Sequence, residues 1–230
     1  NDAEVIEQAL VGVDGIVHAA AKVSVSGDWE DYERTNIVGT QALLDAAIER
    51  SIPKFLYVSA PSVAHAGTAL IGEGNGAASP EHARGNYARS KATAELAVLA
   101  ANVTKLASGS TLRVGALRPH LIWGPGDTQL VERILDRAQS GRLPLLSGGT
   151  GLIDTLYIDN AADALVRGYE RLESIAGRAL VVAVNKWDGI SEERRNAIKK
   201  DIERKLHFLD FAKFHFISAL KERGIDGLFA

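Results

Sequence analysis

A tyrosine and a lysine four positions apart, Tyr87 and Lys91, have the types and spacing that most clearly suggest chemistry in this sequence. The surrounding segment predicts a helix, on which both side chains lie on one face, one turn apart. A lysine ammonium near a phenol favours the phenolate and lowers the pKa of the tyrosine. Such a tyrosine can take a proton from an alcohol while a hydride leaves the carbon for a nicotinamide. The alternative is a surface pair with this spacing by chance.

Two predicted strands before this pair end in small side chains. The first ends in Val17-His18-Ala19-Ala20-Ala21, where alanines would let a flat cofactor lie against the backbone. The second, over 54–59, ends at Ser59. Both strand ends are therefore candidates for the wall of a site that contains Tyr87.

Helix-period and strand-like segments alternate along almost the whole chain. The predicted strands cover residues 15–20, 54–59, 111–117, 155–158, 179–185 and 213–218. This order predicts an α/β fold with a mostly parallel, doubly wound sheet between two layers of helices.

Four further segments matter for placing the site. Residues 29–50 predict one long helix that Pro53 prevents from continuing. Residues 64–86 form a glycine-rich loop, which is either functional or a surface insertion. Residues 118–127 read as a loop punctuated by proline and glycine. Asp159 is the expected N-cap of a later helix.

Composition excludes several classes of protein. A content of 46% hydrophobic and 24% charged residues is typical of a globular protein, and a net charge of −3 gives no reason to expect nucleic-acid binding. The absence of cysteine excludes disulfides and thiol catalysis, and the six histidines lack metal-ligand spacing. No apolar run could span a bilayer and no signal-peptide pattern opens the chain, so we expect a cytoplasmic protein without a membrane partner.

An ordered set of motifs accompanies Tyr87 and Lys91. These are Thr35-Asn36-Ile37-Val38-Gly39-Thr40, Leu117-Arg118-Pro119 and Ile122-Trp123-Gly124-Pro125-Gly126-Asp127. With them, residues 1–180 resemble the extended short-chain dehydrogenase/reductase superfamily, nearest to its branch of NAD-dependent epimerases and 3β-hydroxysteroid dehydrogenases.

The resemblance implies a Rossmann-like fold and an NAD(P)-dependent oxidoreductase or epimerase. Its substrate would be a small alcohol or ketone, or a nucleotide sugar. Tyr87 would be the catalytic acid and base, and Lys91 would hold the nicotinamide ribose. The residues expected to line NAD or NADP are Ala19, Ala20, Ala21, Lys91 and Pro119.

The sequence departs from this family at two places. The position where the family carries a catalytic Ser or Thr is Ala60, so the neighbouring Ser59 and Ser62 become the candidate catalytic hydroxyls. The family's first strands and its glycine-rich turn, which binds pyrophosphate, would lie before Asn1. We therefore expect weak dinucleotide binding and impaired activity.

The last quarter of the chain suggests guanine recognition. Asn185-Lys186-Trp187-Asp188 ends an apolar strand, where a carboxylate can accept two hydrogen bonds from guanine. Lys186 can lie along the base while Asn185 braces the loop. Phe216-Ile217-Ser218-Ala219-Leu220 ends the next strand, where the backbone N–H groups of Ser218 and Ala219 can meet the guanine oxygen. The alternative for the first motif alone is a charged turn after a buried strand.

Together these motifs resemble the second G domain of the Der (EngA) GTPases, which are ribosome-assembly factors. The resemblance implies GTP or GDP as an alternative ligand and the ribosome as a partner. The chain has no Gly-Lys dipeptide and no Asp-x-x-Gly, so the phosphate loop and switch aspartate of a GTPase are missing. Guanine contacts alone should bind weakly.

Three hypotheses follow: a dehydrogenase or epimerase, a guanine-nucleotide binding module, and a chimera without native activity. The predicted domains are 1–178, a truncated Rossmann-like region, and 179–230, a C-terminal fragment of a P-loop GTPase fold. Without the family's opening strands, the strand at Ile16 would be an apolar edge. We predict that the strand at Val181 or a partner chain, either a second copy or a complementing one, covers an exposed edge.

Overall fold

The computed structural model describes residues 3–23, 27–64, 75–127, 131–144, 154–175, 177 and 179–180. The candidate guanine contacts lie outside the described residues: Asn185, Lys186, Asp188, Ser218 and Ala219. The described residues belong to two compact units. The first contains residues up to Pro119 and those from Leu165 onward, and the second contains His120–Ala164.

Helices and strands alternate along the described residues as predicted. The elements are α1 (Ala3–Ala9), β1 (Ile16–His18), α2 (Trp29–Tyr32), a π-helix (Glu33–Val38), α3 (Gly39–Glu49), β2 (Lys54–Val58), a 3₁₀ turn (Pro61–Ala64), α4 (Asn86–Ala100), β3 (Arg113–Leu117), β4 (Leu121–Trp123), α5 (Val131–Gln139), β5 (Thr155–Tyr157), α6 (Ile158–Glu170), α7 (Leu172–Ile175) and β6 (Ala179–Leu180). None of these helices has the length and apolar character needed to cross a bilayer.

A parallel four-stranded sheet with the order β1-β2-β3-β6 forms the centre of the first unit. Its middle strands are continuous apolar runs, which is the pattern of a sheet covered on both faces. The register pairs His18 with Tyr57, and Val58 with Leu117. The carboxyl ends of β1, β2 and β3 therefore lie side by side, and residues that follow these strands share one edge.

Helices cover both faces of this sheet, as the doubly wound prediction requires. On one face, Phe55 and Val114 join the buried core with Leu44 of α3 and Val98 of α4. On the other face the last part of α6 packs so closely that a Cβ on Gly168 would lie 2.7 Å from Leu117 Cδ1. Glycine is the residue that permits this approach.

The long helix predicted over 29–50 is confirmed, since residues 29–49 are helical without a break, but six residues in its middle form a π-helix that the sequence did not indicate. Asn36 lies in this widened turn and is buried. Its side chain hydrogen-bonds the backbone of Lys22, and its carbonyl accepts a hydrogen bond from Thr40 Oγ1 at 2.7 Å. These contacts hold a helix turn that simple periodicity does not reveal.

The two edges of the sheet differ in the part of the chain that the structure describes. β6 pairs with β3 through Ala116 and Leu117, so the start of the strand predicted near Val181 covers the β3 edge. No described strand pairs with the outer edge of β1, and the Val17 side chain in that strand is 44% exposed. The apolar edge expected at Ile16 is thus present.

The second unit contains two parallel strands, β4 and β5, joined by a T-shaped contact between Trp123 and Tyr157. The prediction of a loop throughout 118–127 was wrong, because β5 supplies a hydrogen-bonding partner that the local sequence does not show. The prediction of Asp159 as an N-cap was also wrong, since α6 begins at Ile158 and Asp159 lies in its first turn. Asp127 instead accepts a hydrogen bond from the Val131 N–H at the start of α5.

Candidate active site

The predicted pair Tyr87 and Lys91 lies in the first half of α4. Gly85, with a φ of +85°, precedes this helix and turns the chain into it. The helix buries small side chains such as Ala88 and Ala92, which bring its backbone close to the neighbouring elements. Tyr87 is half-buried and Lys91 is only 1% exposed. The helix expected from the sequence is confirmed.

The Lys91 side chain reaches the carboxyl end of β2. Its ammonium donates a hydrogen bond of 2.6 Å to the Val58 carbonyl and lies 4.1 Å from the centre of the Tyr57 ring. Burial lowers the pKa of Lys91 to about 8, while the nearby Glu95 carboxylate acts in the opposite direction. Lys91 is therefore mostly charged at pH 7 but close to its titration point.

The expected lowering of the Tyr87 pKa was wrong for this structure. Burial of the phenol, and secondly its proximity to Tyr32, raise the pKa of Tyr87. The Lys91 ammonium is engaged by Val58 and by the Tyr57 ring, so its charge does not overcome the cost of burying a phenolate. Tyr87 consequently holds its proton at neutral pH.

Ser59 follows β2 directly, and Ser62 lies in the 3₁₀ turn after it. The Ser59 backbone N–H donates to the Leu117 carbonyl at 2.6 Å, which fixes this turn against β3. The Oγ atoms of Ser59 and Ser62 are buried and have no hydrogen-bond partner among the described residues. Because buried hydroxyls normally have a partner, these two are candidate contacts for a bound ligand. Ala60 lies between them and is also buried.

The candidate cofactor residues surround the same edge of the sheet. Ala19 and Ala20 are exposed and follow β1, whereas Ala21 and Pro119 are half-buried. Pro119 follows β3 after the buried Arg118. In open parallel α/β sheets, ligands bind outside the carboxyl ends of the strands. The topology thus brings the predicted cofactor residues to the end of the sheet that Lys91 reaches.

Asn36 is a site residue to which the sequence assigned no role. Its Nδ2 donates to Ser90 Oγ at 3.0 Å, and Ser90 Oγ donates to the Tyr87 carbonyl at 2.9 Å. Its Oδ1 accepts the Lys22 N–H at 2.7 Å. This chain of hydrogen bonds joins the segment after β1 to the turn that carries Tyr87. The available signal was a polar residue within an otherwise regular helix pattern.

Comparison with known proteins covers most of the chain. The profile of the 3-beta hydroxysteroid dehydrogenase/isomerase family matches residues 1–182. A 2-alkyl-3-oxoalkanoate reductase of Stenotrophomonas maltophilia (strain K279a) is 40% identical over 188 residues, which are 79% of this chain and 55% of that protein. The chain thus spans about half the length of the curated relatives that it matches in this region.

Solved structures share the Rossmann-like fold. A double mutant of DesIV, a dTDP-glucose 4,6-dehydratase from Streptomyces venezuelae with NAD and DAU bound, is 25% identical with a TM-score of 0.62, over 79% of this chain and 55% of that one. UDP-glucuronic acid 4-epimerase from Bacillus cereus, in complex with UDP-glucuronic acid and NAD, is 22% identical with a TM-score of 0.64, over 81% and 59% of the two chains.

A second family matches a shorter segment. GTPase Der of Neisseria meningitidis (strain MC58) is 79% identical over 67 residues, which are 29% of this chain and 13% of that protein. Two unrelated families therefore match one chain, which is the pattern expected of a chimera.

Proposed function

Because the chain belongs to the 3-beta hydroxysteroid dehydrogenase/isomerase family, we propose that its first unit carries the proton-transfer site of an NAD(P)-dependent reductase. The observation that carries the proposal is the placement of Lys91 against the Val58 carbonyl, at the strand ends where the predicted cofactor residues meet. Tyr87 lies one helical turn earlier on the same helix.

The residues present fit the nicotinamide end of the cofactor. Ala19 and Ala20 offer an exposed strip of small side chains, and Lys91 supplies the hydroxyl-binding ammonium. Pro119 stands at the neighbouring strand end. When bound, the nicotinamide supplies or accepts a hydride.

The protonated state of Tyr87 at neutral pH suits the reduction of a ketone. Its raised pKa keeps the phenol protonated at neutral pH, so Tyr87 can donate its proton to the oxygen of a ketone that is becoming an alcohol. The Lys91 ammonium then stabilises the phenolate that remains. Ser59 and Ser62 are the nearest candidates to orient the substrate oxygen, because Ala60 cannot.

A 2-alkyl-3-oxoalkanoate is the substrate class that we favour. The relative that carries this name is 40% identical, whereas the structural neighbours that bind nucleotide sugars are 20–25% identical. The missing hydroxyl at Ala60 should make turnover slower than in such a relative.

The test is consumption of NADH or NADPH with a 2-alkyl-3-oxoalkanoate, followed by absorbance. Tyr87→Phe should lower the rate about 100-fold or more, the usual contribution of a general acid. Tyr169→Phe is the matched control and should keep the parent rate. Ala60→Ser should raise the rate by restoring a hydroxyl. The absence of turnover in both the parent and Ala60→Ser would contradict the proposal.

Guanine-nucleotide binding is the second candidate, and the match to GTPase Der favours it. We propose that Asp188 and Lys186 recognise the base, with Asn185, Ser218 and Ala219 supporting the loop, and that affinity is weak without a phosphate loop. Titration with GDP should show saturable binding that Asp188→Ala abolishes while NADH binding is unchanged. If titration shows no binding of guanine nucleotides or of NAD(P)(H), the result would favour a chimera without native activity.

A further inference from the structure

A buried ion pair lies beside the candidate active site, and neither of its residues takes part in the proposed proton transfer. Arg118 follows β3, Glu95 lies on α4, and both are at most 1% exposed. The Arg118 guanidinium donates to both oxygens of the Glu95 carboxylate, with Nε to Oε2 at 2.9 Å. Its Nη1 donates to the carbonyls of Asn75 and Gly76, the latter at 3.1 Å.

Stability alone does not account for this pair. Taking two charges out of water costs several kcal/mol for each ion, and an apolar pair of similar volume is often equally stable or more stable. Glu95 is also the one carboxylate among the buried residues that the structure describes. The pair is therefore better explained by an electrostatic task.

Lys91 is the neighbour that needs a carboxylate. Lys91 and Glu95 are four positions apart on α4, so their side chains lie on the same helical face. The Lys91 ammonium otherwise contacts a neutral carbonyl and an aromatic ring, neither of which carries a full negative charge. The Glu95 carboxylate favours the charged form of Lys91, and burial reduces the screening of this attraction by water.

The other titratable groups around Lys91 and Tyr87 are Tyr57 on β2, His18 on β1, Tyr32 on α2 and Tyr87 itself. Burial raises the pKa of Tyr57, and the pKa of Tyr87 is also raised, so these two phenols stay neutral. Burial and the charge of Lys91 lower the pKa of His18 to about 4, so His18 is neutral as well.

We propose that Glu95, oriented by Arg118, is a positioning residue that keeps the buried Lys91 side chain charged and thereby available to Tyr87. Arg118 donates to both carboxylate oxygens and so fixes the orientation of the Glu95 side chain. The catalytic consequence rests on the proposed function, whereas the charge of Lys91 can be measured without any turnover.

The test is an NMR titration of protein labelled with ¹³C-lysine. The Lys91 side-chain resonance is identified by its absence from Lys91→Met. In the parent it should titrate near pH 8, where burial places its pKa. In Glu95→Gln the midpoint should fall by one pH unit or more, because the carboxylate that favours the ammonium is gone. An unchanged midpoint in folded Glu95→Gln overturns the proposal.

Two further variants keep the result decisive. Glu7→Gln removes a carboxylate from the exposed Glu7–Arg50 pair and should leave the Lys91 midpoint unchanged. If Glu95→Gln does not fold, the double variant Glu95→Gln/Arg118→Gln is titrated under the same criterion, because it removes both charges of the buried ion pair and leaves no unpaired guanidinium. If that variant also fails to fold, the pair is required for the fold itself and the proposal is overturned.

The pH dependence of NAD(P)H-linked reduction separates this inference from the proposed function. In the parent, the rate should fall as pH rises through about 8, where Lys91 loses its proton. In Glu95→Gln that decline should begin at least one pH unit lower. A shifted Lys91 midpoint without any turnover would support the role of Glu95 and contradict the reductase. Turnover in the parent with an unshifted Lys91 midpoint in Glu95→Gln would support the reductase and contradict the role of Glu95.

Discussion

The side chains at this site show how burial changes chemistry that spacing alone suggests. The sequence placed Tyr87 and Lys91 on one helical face, and the structure has them there. Spacing could not indicate the direction of the Tyr87 pKa, because that direction depends on how deeply the phenol is buried and on Tyr32, which is distant in sequence. Spacing in the sequence can therefore predict which helical face a residue occupies, whereas its pKa depends on burial and on contacts that are distant in sequence.

His18 is a buried imidazole with one hydrogen bond whose direction can be assigned. Thr40 Oγ1 donates its hydrogen to the Asn36 carbonyl, so it can only accept from His18 Nε2, at 2.9 Å. His18 therefore carries a hydrogen on Nε2. Its pKa is lowered to about 4, first by burial and secondly by Lys91.

We predict that His18 makes the protein sensitive to acid. The unfolded chain takes up a proton near pH 6.5 and the folded protein only near pH 4, so stability falls as pH decreases between these values. The loss should reach up to about 3 kcal/mol. Urea unfolding at several pH values should show a smaller loss in His18→Asn. The exposed His82→Asn is the control, and equal acid sensitivity in the parent and His18→Asn would contradict the prediction.

At the scale of helices and strands, an element could be predicted from the sequence when its signal is local. The strands and α4 were predicted because apolar runs and helical period are local signals. The π-helix and β4 were not, because each depends on a partner outside its own segment. Asn36 needs Lys22 and Ser90, and β4 needs β5. Distant contacts of this kind leave no trace in periodicity.

We predict that Asn36 stabilises the junction between the π-helix, α4 and the segment after β1. Asn36→Ala removes three hydrogen bonds. The Lys22 N–H loses its acceptor, and the Ser90 Oγ loses the N–H that donates to it. The free energy of unfolding should decrease by about 2–4 kcal/mol, the cost of orphaned buried groups. Gln41→Ala, which removes an exposed hydrogen bond to Asp45, should cost less than about 0.5 kcal/mol. Equal effects in urea denaturation would refute the assignment.

At the scale of the whole molecule, residues 1–182 match the 3-beta hydroxysteroid dehydrogenase/isomerase family, and a segment of 67 residues is 79% identical to GTPase Der. The family matches agree with the predicted resemblances, and the parallel sheet agrees with the predicted fold class. The predicted division at 178 stays a prediction.

We predict that the outer edge of β1 promotes self-association. This edge has no partner strand among the described residues, and Val17 exposes 44% of its surface there. A charge on an edge strand opposes pairing with another chain, so Val17→Lys should reduce concentration-dependent growth in light scattering. Val11→Lys introduces the same charge at an exposed position outside the sheet and should have little effect. Equal scattering by the parent and Val17→Lys would exclude this edge as the cause.

The hydrogen bonds that assemble the site join residues 14, 54 and 33 positions apart: Lys22 with Asn36, Asn36 with Ser90, and Val58 with Lys91. Closing such long loops costs entropy before any contact forms in return, so distant pairings arise late when a chain folds. A refolding molecule should thus regain its helical circular dichroism before the hydrogen bonds around Tyr87 and Lys91 form.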